Sequence, residues 1–399
     1  MTTTDSVAGI RIVDTDSHVT ELPDLWTSRL AKKWSDDAPR VERDANGLAR
    51  WRIGQQWSTG VAFYNSHRDS AAGVRAVDYD DADPAGFDPK ERLRRLDEYG
   101  IYAQVLYPNL IAFEAGTFMA LDPELSLACV RAYNDFLIEF AEADPARLVP
   151  LMMVPMWDVE RIPAEMDRAY ALGHKGMVFG GHPERAGLPP LWHSHWDPVW
   201  AKAQEMQLSV NFHAGFSSFS AQEAKERAER LAGRGFTAAA ADVPATFQRY
   251  MGAKNASMGQ TNNMSTLADL CAGGVCHKFP DLKLVSVESG FGWIPFFLES
   301  LDFYWGNMGT DWSLPKPSEC FRRQVYATFW FENEPLVMMP AWQDNAMFQT
   351  DYPHNAALIP IPNDPERAPV KSVAAHLEQL PFDVRRKVLE SNASNLYKL

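Results

Sequence analysis

The stretch VDTDSHVTE, residues 13–21, closes an apolar run that begins at Ile10 and then gathers Asp14, Asp16, His18 and Glu21 within eight residues. Alternate residues of a strand share a face, so Asp14, Asp16 and His18 are expected to point the same way at a strand end. Carboxylates held that close repel, and each raises the pKa of the next unless a cation lies among them. The stretch alone allows two readings evenly, a metal-binding strand end and a solvated loop with a chance histidine.

Seven more apolar runs follow the first: AQVLYP, RLVPLMMVP, KGMVFGGHP, LSVNFHAG, LKLVSVESG, QVYATFWFE and NAMFQTDYPH. Helical patterns separate many of them, among them PKERLRRLDEYG, ending on Gly100, and DPVWAKAQEM; two more are expected around 123–143 and 159–172. The runs are rich in Val, Ile, Leu and Phe without clean polar alternation, which suits parallel strands buried on both faces. Eight strands alternating with helices predict an α/β fold, a distorted (β/α)₈ barrel. The rival, a doubly wound open sheet, usually shows a glycine-rich turn after its first strand, and none is present.

Polar residues recur where these runs end. His182 and Glu184 follow the fourth, His213 the fifth, Glu288 the sixth, and Asp351 and His354 the eighth. In a closed barrel those ends converge on one mouth. So many carboxylates and imidazoles would be costly to bury together without a cation. Oxygen and nitrogen donors without thiolates suit Zn, Mn or Fe. His193 and His195 have an HxH spacing but lie in a loop, and His67, His174, His277 and His376 read as bystanders.

The 399 residues are 46% hydrophobic and 23% charged, with a net charge of −14. That balance excludes a basic nucleic-acid surface and disfavours an anionic membrane. The first residues carry no basic and apolar signal pattern, and no run of 18 apolar residues could span a bilayer. Four cysteines without a CxxC pair read as reduced thiols in a cytoplasmic protein. One domain over 1–399 is expected, with insertions 22–88 and 215–274 capping the mouth and a homodimer as the assembly. The insertions hold Trp26, Trp51, Trp57, Phe63 and Tyr64, and Phe216, Phe219, Phe247, Tyr250 and Met251. Such residues would suit a bulky apolar substrate, or would simply seat the insertions on the barrel rim.

DTDSH, WDPVWAKAQEMQLSVNFHAG, GGVCHKFPDLKLVSVESGFGWIP, TDYPH and ESNASNLY, in this order, make residues 10–399 resemble the amidohydrolase-related family. Its members include aminocarboxymuconate-semialdehyde decarboxylase and the resorcylate decarboxylases. The resemblance implies a metal-dependent (β/α)₈ barrel with Asp16, His18, His213 and Asp351 as ligands. Two departures stand out. The first strand reads Asp-x-His where many relatives have His-x-His, and Glu288 stands where the decarboxylases have a histidine after the sixth strand.

The resemblance implies three activities. One is an O₂-dependent hydroxylase holding two Fe ions, as in the subset acting on diterpenoid CoA esters and 2-aminoisobutyrate. The others are a hydrolase, with Zn or Mn and Asp351 as base, and a non-oxidative decarboxylase of an aromatic or unsaturated acid. A catalytically dead partner subunit is the minor alternative. The hydroxylase is taken first, because Glu288 could bridge two ions while His182 or Glu184, and Asp14 or Glu21, complete the second site. Asp351, Glu288 and His213 would then carry the chemistry.

Overall fold

All six residues of β1 (Val13–His18) are buried. A strand covered on both faces belongs in a sheet flanked by other elements, and a parallel barrel supplies that cover. The computed structural model describes residues 6–62, 65–68, 76–217, 245–308, 311, 313–354, 356–360 and 368–399. After β1 the chain forms a small antiparallel sheet of β2 (Arg40–Arg43), β3 (Ala49–Ile53) and β4 (Gln56–Gly60). Seven strands then join β1 in parallel order: β5 (Ala103–Tyr107), β6 (Leu148–Met152), β7 (Gly176–Val178), β8 (Ser209–His213), β9 (Lys283–Val287), β10 (Val325–Phe329) and β11 (Ala346–Phe348).

The sheet closes where the segment after β11 meets β1. Ser17 bridges to Tyr352 in parallel, His18 N donates to Tyr352 O at 2.7 Å, and Asp351 N donates to Asp16 O at 2.9 Å. These contacts set Asp16 and His18 beside Asp351. The eight-stranded α/β barrel expected from the apolar runs is therefore the observed fold.

Local chemistry accounts for the helix boundaries. The helix α1 (Pro89–Tyr99) begins at Asp88, whose carboxylate accepts from Lys90 N and Glu91 N, and has Pro89 in its first turn. It stops at Gly100 in the left-handed region at φ 68°, where a Cβ would also approach Val370 to 2.8 Å. The helix α2 (Pro123–Ala141) starts the same way on Asp122. Of the longer helices, α3 (Ile162–Leu172) starts three residues later than expected, with a proline in its first turn. The helix α4 (Asp197–Met206) matches DPVWAKAQEM.

The insertion after β1 is anchored on the barrel's outer helices. Trp26 is fully buried, donates its indole N–H to Cys129 O at 3.1 Å, and meets Trp51 and Phe118 with ring centroids 5.3 Å away in each case. Trp57 remains exposed. Phe63, Tyr64 and Phe219 lie outside the described residues, as do the side chains of Phe247 and Met251. All four cysteines are buried and unpaired. Among the described residues, no helix is long and apolar enough to cross a membrane.

Candidate metal centre

Asp16 and His18 end β1, His213 ends β8, and Asp351 follows β11. Each offers one ligand atom to a group whose atoms all lie within 4.8 Å of one another, and all four residues are buried. The Nε2 atoms of His18 and His213 are 3.1 Å apart. Asp16 Oδ1 lies 3.4 Å from His18 Nε2 and 3.5 Å from His213 Nε2, and Asp351 Oδ1 lies 3.6 Å from His18 Nε2. Both carboxylate oxygens of Asp16 and Oδ2 of Asp351 are sealed from solvent without a donor in bonding geometry. Sealed anionic oxygens without partners are costly, and a cation held between them and the ring nitrogens removes that cost.

Backbone geometry singles out the same place. Among the described residues, four non-glycine residues have positive φ: Gln207, Glu288, Asp351 and Lys398. Gln207 and Lys398 terminate helices. Glu288, at φ 55°, and Asp351, at φ 63°, follow barrel strands at the mouth. The left-handed region costs an ordinary residue about 1–2 kcal/mol, and such strain concentrates at functional sites.

The electrostatics follow from burial. His18 is pushed down to about 4 by burial and by the adjacent His354, so its ring is neutral. Its Nδ1–H donates to Pro108 O at 2.8 Å, which leaves the Nε2 lone pair facing the group. Burial pushes Asp16 up, but His213 and His18 outweigh it and hold the carboxyl below the usual range. Asp351 is raised well above that range by burial, Asp16 and Asp14. Glu288 is raised to about 8 by burial and then by Asp351. Its side chain keeps 21% of its surface exposed, and Oε2 lies 3.4 Å from His213 Nδ1.

The other candidate residues are placed as follows. His354 stacks on His18 at 3.9 Å and sets Nδ1 2.6 Å from Asp351 Oδ1. Asp14 turns to Gln104 and Thr350, after a register shift between Asp14 and Ser17 breaks the simple alternation of β1. Glu21 accepts from the backbone N–H groups of Asn109, Leu110 and Ile111. His182 lies 3.1 Å from Glu184 Oε1 and 3.2 Å from Ser265 Oγ. Among the described residues, no second group of possible ligands forms to answer the expectation of two ions. His193 and His195 lie in a single turn before α4, where His193 Nδ1 accepts from His195 N.

Aromatic walls flank the group. Phe216 stacks on His213 at 4.1 Å, and Phe113 lies 5.9 Å from both His18 and His213. Phe113 was missed in the sequence. Its only signal is its position in NLIAF, just beyond the end of β5.

Residues 13–399 match the family described as Amidohydrolase. The chain belongs to that family. A curated relative of this amidohydrolase is the gamma-resorcylate decarboxylase of Polaromonas sp. strain JS666, 24% identical over 322 residues, which are 77% of this chain and 86% of the relative. Among solved structures, an amidohydrolase from Mycobacterium avium subsp. paratuberculosis K-10 matches with a TM-score of 0.74 and 22% identity, covering 98% of this chain and 99% of its own. The dihydroxybenzoic acid decarboxylase of Polaromonas sp. JS666, with bound manganese and the inhibitor 2-nitroresorcinol, matches with a TM-score of 0.60 and 18% identity, at 97% of both chains. The 5-carboxyvanillate decarboxylase of Sphingomonas paucimobilis matches with a TM-score of 0.61 and 21% identity, at 98% and 100%. These likenesses concern the fold.

Proposed function

We propose that this amidohydrolase is a one-metal enzyme that removes carbon dioxide, without net oxidation, from a hydroxylated aromatic or similarly unsaturated acid. The observation that carries the proposal is the convergence of the sealed Asp16 and Asp351 carboxylates on two histidine Nε2 atoms. Asp16, His18, His213 and Asp351 would hold a divalent ion, for which Mn²⁺ is a fitting choice and Zn²⁺ the alternative. When bound, the ion would neutralise the substrate carboxylate and an adjacent oxygen. Decarboxylase names among the relatives support this reading over the dinuclear hydroxylase.

The chain's own residues would do the rest. Phe113 and Phe216 offer flat apolar faces to an aromatic ring and exclude water from it. Glu288 is more open than the four buried ligands and faces His213 Nδ1, so it is the carboxyl set to hold a proton for the ring carbon. As the bond from ring to carboxylate breaks, carbon dioxide leaves and that proton forms the new C–H bond. The insertions 22–88 and 215–274 would cap the mouth. In the first of them, Asn65 bridges to His354, and Ser66 N donates to Pro353 O at 2.7 Å.

The hydroxylase with two iron ions remains the second reading. A carboxylate at Glu288, against His213, is the observation in its favour. One experiment separates the two: metal analysis, followed by turnover of dihydroxybenzoates and 5-carboxyvanillate under nitrogen with Mn²⁺. One ion per chain and CO₂ release without O₂ support the decarboxylase. Two irons per chain and a strict O₂ requirement overturn it.

A further inference from the structure

We propose that Arg92, Gln104 and Asp14 form a positioning set that fixes the distance between Asp16 and Asp351 and so sets the affinity and geometry of the metal centre. The inference rests on the one-metal reading above.

Asp14 is fully buried, and its carboxylate takes four donors. Oδ1 accepts from Asp16 N at 3.2 Å and from Thr350 N at 2.8 Å. Oδ2 accepts from the Thr350 hydroxyl at 2.5 Å and from Gln104 Nε2 at 2.7 Å. One carboxylate therefore grips the backbone of candidate ligand Asp16 itself and that of the residue just before candidate ligand Asp351. Asp351 N in turn donates to Asp16 O at 2.9 Å. The strained φ of 63° at Asp351 is held from both sides by these bonds.

Gln104 carries the grip to a buried cation. Its Oε1 accepts from Arg92 Nη1 at 3.0 Å while its Nε2 faces Asp14. With a donor on one side and an acceptor on the other, the amide has one satisfied orientation. Arg92 is fully buried on α1, and its other N–H groups donate to Ala85 O and His18 O, each at 2.6 Å. Its guanidinium also lies 5.0 Å from the Tyr352 ring centroid. Arg92 thus touches the backbone of candidate ligand His18 directly, and through Gln104 and Asp14 that of candidate ligand Asp16 and of Thr350, the residue before candidate ligand Asp351. Hydrogen-bonded partners behind metal ligands typically change metal affinity by about 10–100-fold when removed.

The test uses the full chain with Mn²⁺ and Co²⁺ alone, and three variants: Gln104→Met, Gln104→Glu and Thr350→Val. Gln104→Glu keeps an acceptor for Arg92 but loses the donor to Asp14, and Thr350→Val loses the hydroxyl that donates to Asp14 and accepts from Tyr352 N. Each should weaken Mn²⁺ by about tenfold or more in calorimetric titration and shift the Co²⁺ absorption bands. A set that merely staples the strands would lower the melting temperature of the metal-free protein and leave both readouts unmoved. Mn²⁺ affinity within about twofold of the parent and an unshifted Co²⁺ spectrum in Gln104→Glu and Thr350→Val overturn the proposal, even if Gln104→Met does not fold. If the parent binds neither ion, the one-metal reading falls and takes this inference with it.

Discussion

His18 and His213 face each other through their Nε2 atoms at 3.1 Å, although 195 residues of chain separate them. His18 already uses its Nδ1–H on Pro108 O, so its Nε2 is a bare lone pair. Two imidazole nitrogens at that distance must share one proton or one cation between them. With Asp16 Oδ1 only 3.4 Å from one and 3.5 Å from the other, a cation satisfies all three atoms at once.

His213→Ala removes one of the two ring nitrogens and leaves a three-residue set. Mn²⁺ binding by the purified variant, read by titration calorimetry, should weaken by about a hundredfold or more, in keeping with metal affinities that depend on ligand number. Parent-like metal content would rule out His213 as a ligand.

Glu288→Gln separates the proton-donor role from ligation. The neutral amide keeps the shape and loses the acid, so CO₂ release should fall by roughly 10²–10⁴-fold. Metal content should stay at one ion per chain. A drop from two ions to one would instead assign Glu288 as a bridge between two cations.

Metal-free protein should lose stability as pH rises from about 6.5 to 8. Burial raises Asp14 and Glu21 to about 7 and, with Asp351, raises Glu288 to about 8, from ordinary values of 3.8 and 4.5. The folded state therefore binds these protons more tightly than the unfolded one, and stability falls as pH rises through the folded values. His18 and His174, both lowered to about 4 by burial, act in the opposite sense, but only between about 4 and 6.5. Above that window the carboxyls act alone. Metal-loaded protein should show the reverse slope, because ligation requires deprotonated carboxylates. Melting curves at pH 6.5, 7.2 and 8, with and without Mn²⁺, check this, and a metal-free melting temperature that climbs with pH would refute it.

Trp26→Ala should destabilise the protein by about 3–5 kcal/mol, the usual cost of deleting a buried tryptophan. The side chain is fully buried and ties the insertion after β1 to Cys129. Denaturant unfolding measures the loss. A change below about 1 kcal/mol would show that the insertion is not anchored there.

The sequence alone determined the alternation of eight apolar strands with helices, and hence the parallel barrel. It also determined the boundaries of α1, because Asp88, Pro89 and Gly100 act on backbone within a few residues of themselves. Asp16, His18, His213 and Asp351 stood out for a related reason: each closes an apolar run, and a barrel brings all such ends together. Only the tertiary structure decided which other polar residues join them. Glu21 lies as close to His18 in sequence as Asp351 is distant, yet it turns to the N–H groups of 109–111. His182 closes an apolar run in the sequence as His213 does, but it lies beyond the end of β7 and meets Glu184 and Ser265 instead. Asp14 shares the parity of Asp16 and His18, but a register shift and a buried Gln104 claim its carboxylate. The physical reason is common to all three. A buried polar side chain goes to whichever unpaired donor or acceptor the fold brings within about 3 Å, and partners supplied by distant segments leave no mark in the sequence around it.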